Sequence, residues 1–309
     1  MMNLALMLTP MSEHHLQLAA QIGVTEIVAP YPGTKLEDLQ RQADQVREHG
    51  LQITVIERHI PHDKLVHNKP GQAEQLAGFK QLIRNMARCG INTLCYNWMP
   101  DDDWQRTNFA HRQRGNALVT EFDLTKIDQS PAQNPTHAHQ LWTNLENFLN
   151  HIAPLAEDHG ITLALHPDDP PLPNLKGQDR IITDHDAFQR VLNLNTSPAN
   201  KLCYCQGTFA SGGQDIPTGI RTFKDHIAFA HFRDVQGTIP KFHETFHDNG
   251  KTDMAACIRA YKESNFKGPI RPDHVPTLSG ETNDNPGYEM LGRLHAIGYI
   301  KGLIDATNP

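Results

Sequence analysis

Four short apolar runs in this sequence end in side chains that bind metals or move protons. LALHPDDPP carries His166, LCYCQG carries Cys205, IAFAHFRD carries His231, and IRPDH carries Asp273 with His274 beside it. Two imidazoles, a thiolate and a carboxylate offer lone pairs and about two negative charges, a set suited to a divalent cation. Each residue also has an ordinary reading: a hydrogen-bonded structural histidine, a cysteine acting as a small hydrophobe, an aspartate capping a turn. Four such residues, each one strand-and-helix length from the next, make one shared site the stronger reading if the run ends lie side by side. Cys with two His suits Zn or Fe, while Asp273 hardens the set enough to admit Mn2+.

Further polar residues follow the same runs. Asp168 and Asp169 could orient a ligand or bind substrate hydroxyls, or brace a turn stiffened by Pro170 and Pro171. FHETFHD supplies Phe242, His243, Glu244 and His247, with Glu244 the preferred one to reach the site. Arg233 and Arg271, beside the ligand-type residues, join Asp168 and Glu244 as candidate substrate contacts. Tyr288 follows a Pro-Gly pair and is expected to open the last helix, where it acts as an acid or base or packs against the helix cap.

The elements that position these residues alternate along the chain. Short apolar runs at Asn3–Leu8, Glu26–Ala29, Gln52–Ile56, Asn92–Tyr96, Thr162–Leu165, Leu202–Cys205, Ile227–Ala230 and Pro269–Arg271 suit strands buried on both faces of a parallel sheet. Helical patterns lie between them at Ser12–Ile22, Lys35–His49, Gln72–Cys89, His137–His159, Asp184–Leu194, Pro217–Phe223, Thr252–Ser264 and Tyr288–Asp305. Three of them stop at Gly50, Gly90 and Gly160, directly before a strand. Eight strands alternating with eight helices predict an α/β fold, a (β/α)8 TIM barrel forming a single domain over 1–309. No G-x-G-x-x-G follows the first strand, which disfavours an open dinucleotide-binding sheet. Long loops at 57–70, 97–135 and 232–251 leave strand C-terminal ends, the face where barrel active sites assemble. In the second of these, Trp98, Trp104, Arg106 and Arg112 are candidates for a substrate lid or for an ordinary surface excursion.

Composition narrows the class. With 28 Lys+Arg against 35 Asp+Glu the net charge is −7, which argues against a nucleic-acid binder. No apolar run is long enough for a transmembrane helix, and the N-terminus lacks the positive region of a signal peptide, so a cytoplasmic protein without membrane partners is expected. The five cysteines form an odd set without disulfide spacing, as expected of reduced thiols.

The motifs RNMARCGINTLCYNWMPDDDWQRT, LALHPDDPPLPNLKGQDRII, LCYCQGTF, IAFAHFRDV, FHE, and IRPDH followed by NPGYEMLGRL resemble, in this order, the mannonate dehydratase family from about residue 79 to 306. The family is a xylose-isomerase-like barrel whose members convert D-mannonate to 2-keto-3-deoxy-D-gluconate with Mn2+ or a similar divalent ion. The resemblance implies His166, Cys205, His231 and Asp273 as metal ligands, with Fe2+, Mg2+, Co2+ or Zn2+ as alternative ions. It implies His274 and Tyr288 as the acid/base pair, a small sugar acid as the partner, and a homo-oligomer. The chain reads as a divergent, shortened member: Leu8-Thr9-Pro10 replaces an Arg-Trp-Tyr-Gly-type segment, Cys205-Gln206-Gly207-Thr208 a Cys-Thr-Gly-Ser motif, and Val275 a glycine. A metal-dependent isomerase or epimerase on the same barrel, and a non-catalytic sugar-acid-binding relative, are the alternatives.

Overall fold

A computed structural model describes residues 2–100, 104–128, 130, 132 and 134–307. The eight apolar runs are the eight strands of a closed parallel barrel: Asn3–Met7, Glu26–Ala29, Gln52–Ile56, Thr93–Asn97, Thr162–His166, Asn200–Cys205, Ile227–Phe232 and Pro269–Pro272. Each pairs with the next, and the last closes on the first. Because strand side chains alternate, each strand feeds two cores. Inward-facing Ala5, Met7, Val28, Val55, Cys95, Ala164, Cys203 and Phe229 plug the barrel. Outward-facing Leu6, Ile27, Leu94, Leu163, Leu202 and Tyr204 join the larger core under the helices.

The outer helices follow the sequence pattern closely. Ser12, Asp184, Asp215 and Asp253 each accept a backbone N–H at a helix start, as N-caps do. Gly90 ends Gln72–Cys89 in the left-handed region (φ 75°), which glycine enters without steric cost and which turns the chain straight into the fourth strand. The last helix differs from expectation. It runs Met290–Ala306 with Glu289 as its N-cap, so Tyr288 precedes the helix instead of opening it. Backbone pairing of Val275 with Gly287 draws this segment onto the end of the eighth strand, and that pairing, not the helix, fixes Tyr288 beside the site.

The long loops build structure of their own. Asn108–Arg112 and Leu118–Asp123, from the fourth loop, pair with Val235–Thr238 and Lys241–Glu244, from the seventh, in a four-stranded antiparallel sheet. Lys241 pairs with Asp123, Phe242 with Phe122 and His243 with Glu121 across the joint between the two loops. This sheet caps the C-terminal rim of the barrel and carries Glu244 to it.

Candidate active site

Register brings the ligand-type residues together. Cys205 is the direct partner of His231, His231 of Arg271, and Asn97 of His166, so the ends of the fifth to eighth strands form one rim. His166, Cys205, His231 and Asp273 each offer a donor atom, and all four donors lie within 4.8 Å of one another. Cys205, His231 and Asp273 are buried and His166 is half-buried. The His166 Nδ1 lies 2.6 Å from the Pro167 carbonyl, which orients the ring and leaves Nε2 for the site. The Thr208 hydroxyl donates to the Cys205 sulfur (3.1 Å). His231 is 1% exposed; its Nε2 lies 3.3 Å from Glu57 Oε1 and its Nδ1 3.6 Å from Asp273 Oδ2, neither with hydrogen-bond geometry. A buried imidazole left so is costly unless another ligand completes it.

A buried charge network surrounds these donors. Arg233 donates from Nε to Asp273 (2.8 Å), from Nη1 to Glu244 (2.8 and 2.9 Å), and from Nη2 to Asp169 (2.8 Å) and Thr208 (2.9 Å). Arg106 grips Asp169 through two nitrogens (2.8 and 3.0 Å) and also donates to Glu244. Arg271 grips Glu57 (2.9 and 3.2 Å) and reaches Asp273 (3.0 Å). A side chain at Gly207 would place its Cβ 2.5 Å from Arg233 Nη1, so the close approach of this arginine requires glycine there. Burial pushes the Asp273 carboxyl up, but His274, Arg271, His231 and Arg233 hold it well below the carboxylate range. Burial likewise raises Glu244, and Arg233, His274 and Arg106 overcome it to bring that group to about 2. In this hydrogen-bonded network three guanidiniums face four carboxylates, leaving one net negative charge. A Cys205 thiolate would make it two, the charge a divalent ion neutralises. The donors therefore fit such an ion in number, type, spacing and charge.

The proton-transfer candidates stand beside this group. His274 Nδ1 lies 2.9 Å from Glu244 Oε1, and Trp104 packs on the imidazole with ring centroids 4.5 Å apart. Tyr288 meets His274 edge-on at 5.4 Å, and the Arg58 guanidinium lies 4.5 Å from its ring centroid. Burial pushes the Tyr288 phenol up, against the pull of Arg58, so it keeps its proton at neutral pH. One pocket is lined by His166, His231, Asp273, His274, Tyr288 and Arg271, together with further residues from the rim.

The other candidate residues take these places. Asp168 is fully buried away from the pocket, because its Oδ2 accepts the backbone N–H groups of Ile181 and Ile182 (3.0 and 2.9 Å). Asp169, the next residue, takes the position at the site. Arg233 and Glu244 are occupied by protein partners, Asp273 and His274 among them, whereas Arg271 does line the pocket. Of the lid candidates, Trp104 covers His274 and Arg106 is buried in the charge network. Trp98 belongs to the core against Phe148, and Arg112 is exposed on the cap sheet. Two contributors escaped the sequence reading, Glu57 and Arg58. Glu57 ends the third apolar run, ITVIERH, just as His166 and Cys205 end theirs, so the same strand-end rule would have found it.

The chain is similar in sequence and fold to known proteins. The family model described as D-mannonate dehydratase (UxuA) matches residues 10–139 and 133–309, extending the motif resemblance to most of the chain. The mannonate dehydratase of Shouchella clausii is 33% identical over 307 residues, covering 88% of this chain and 85% of that protein. The crystal structure of mannonate dehydratase from Streptococcus suis serotype 2 superposes with a TM-score of 0.92 at 31% identity, covering 99% of this chain and 95% of that one. A structure of L-ribulose 3-epimerase has a TM-score of 0.68 at 14% identity, covering 99% of this chain and 95% of that one, a likeness of fold alone. With fold and sequence in agreement along nearly its whole length, the chain belongs to the mannonate dehydratase family of hydro-lyases.

Proposed function

We propose that this chain removes water from a sugar acid, D-mannonate, to give 2-keto-3-deoxy-D-gluconate, with Mn2+ as its ion. His166, Cys205, His231 and Asp273 would hold the ion. When bound it supplies Lewis-acid stabilisation of the negative charge that develops on the substrate's carboxylate side.

One observation carries the reading: His274 and Tyr288 stand together at the donor group, with ring centroids 5.4 Å apart. Glu244, at about 2, is ionised at neutral pH and can only accept a hydrogen bond. With Nδ1 donating to Glu244 at 2.9 Å, the Nε2 lone pair of His274 would serve as the base. Nε2 takes the C2 proton of the substrate. The phenol of Tyr288, kept protonated by burial, gives its proton to the C3 hydroxyl, which leaves as water. The enol tautomerises to the keto acid. Trp104 shields His274 from bulk water, and Arg233 and Arg106 keep Glu244 ionised and aimed.

The test is a panel of C5 and C6 aldonates with added Mn2+, read by keto-acid formation. Mannonate should give the keto acid. A chain that interconverts sugars without releasing keto acid is an isomerase or epimerase, and one that binds aldonates without turnover is a binding relative; either sinks the proposal. The five free cysteines support a cytoplasmic setting for the reaction.

A further inference from the structure

The barrel places a second donor group one layer below the first. Side chains two residues apart share the inner face of a strand. Cys95 therefore lies under Asn97, Cys203 under Cys205 and Phe229 under His231. The sulfurs of Cys95 and Cys203 and a ring nitrogen of His231 lie within 4.8 Å of one another, all in buried residues. The dehydration chemistry uses neither of these two thiols, and neither is in a disulfide. Neither His231 ring nitrogen makes a hydrogen bond of good geometry, although Nε2 lies 3.3 Å from the Glu57 carboxylate and Nδ1 3.6 Å from that of Asp273. Cys95 also lines the pocket, which brings one of the two sulfurs to the substrate side.

We propose that Cys95, Cys203 and His231 form a separate thiophilic-metal site, one that takes a d10 divalent ion such as Zn2+ or Cd2+. Ala5, Met7, Val28, Val55, Ala164 and Phe229 supply the apolar side chains of this layer. The carboxylates nearest His231, Glu57 and Asp273, are held by Arg271 and Arg233, and soft thiolates with an imidazole select zinc-like ions over hard ones. As the two sulfur–metal bonds form, each thiol releases its proton to solvent. The ion and two thiolates then carry no net charge, so the apolar surroundings do not oppose them. Tetrahedral bonds of about 2.3 Å to sulfur set the two sulfurs roughly 3.7 Å apart, a closure of at most about 1 Å here. His231 belongs to both donor groups, and a neutral imidazole has one lone pair. It serves one ion at a time, so a thiophilic ion below withdraws a ligand from the group above.

The test needs no turnover. The metal-free chain is titrated with Cd2+ alone, and the ultraviolet sulfur-to-cadmium charge-transfer band is read per bound ion. The parent should give the intensity of two thiolates for the first ion bound. That band should persist in Cys205→Ser and fall to the intensity of a single thiolate in Cys203→Ala and in Cys95→Ala. The two alanine variants lie on different strands, so a folding failure in one leaves the other to decide. A single-thiolate band in the parent, abolished by Cys205→Ser and unchanged by the alanine substitutions, overturns the proposal and puts the ion in the upper group.

Discussion

Arg233→Met removes the cation that ties the candidate site together. Its guanidinium contacts Asp273, Glu244, Asp169 and Thr208 at 2.8–2.9 Å and is 1% exposed. Methionine is long, flexible and apolar, so it fills much of the space and the change is chiefly electrical. Breaking a buried ion pair from one side costs about 3–5 kcal/mol, because a charge is left without its partner. Here the stranded carboxylates keep other cations: Asp169 and Glu244 keep Arg106, and Asp273 keeps Arg271. The loss should therefore fall at the lower end, about 3 kcal/mol. At about 2 °C per kcal/mol for a chain of this size, the melting temperature should drop by about 6 °C. The pH dependence adds a sharper signature. Glu244 sits at about 2 in the folded chain against an ordinary 4.5, so its contribution to stability is present above 4.5 and is lost as pH falls towards 2. Arg233 is the largest attraction holding it there, and without it the group rises. Parent and variant should differ most near neutral pH, with the gap narrowing below pH 4.5. Calorimetric melts across this range measure both effects. A variant melting within about 1 °C of the parent at neutral pH, or a gap that widens on acidification, would refute the reasoning.

Three further outcomes follow from the geometry. Tyr288→Phe and His274→Asn should each lower kcat by about 10²–10⁴-fold while bound metal stays constant, and exchange of the substrate C2 proton with deuterium should survive only in Tyr288→Phe; parent rates in both place the proton-transfer pair elsewhere. His231→Ala and Cys205→Ala should each lose most bound Mn2+ by elemental analysis, and full metal content in both would mean that the four donors are not the ligands. Asp168→Ala should lower stability by about 1–3 kcal/mol, since two buried backbone N–H groups lose their acceptor, with metal affinity unchanged; a stable variant that fails to bind metal would return Asp168 to the site.

Local pattern was enough to locate every barrel strand, because strands buried on both faces read as short apolar runs and their helices stop at glycines such as Gly90. Strand-end chemistry likewise singled out His166, Cys205, His231 and Asp273, since a closed barrel must bring successive strand ends to one rim. The direction of individual side chains was not legible there. Asp168 and Asp169 are chemically equivalent in sequence, and only the backbone N–H groups of Ile181 and Ile182 decide which of them turns away from the pocket. The cap sheet was equally hidden, because Leu118–Asp123 and Lys241–Glu244 are distant in the chain and neither alone predicts the other as its partner. That sheet carries Glu244 to within 2.9 Å of His274 Nδ1. The sequence determined which groups are available for the chemistry. The tertiary structure decided which are desolvated, paired and aimed, because register, burial and charge neutralisation arise only between elements far apart in the chain.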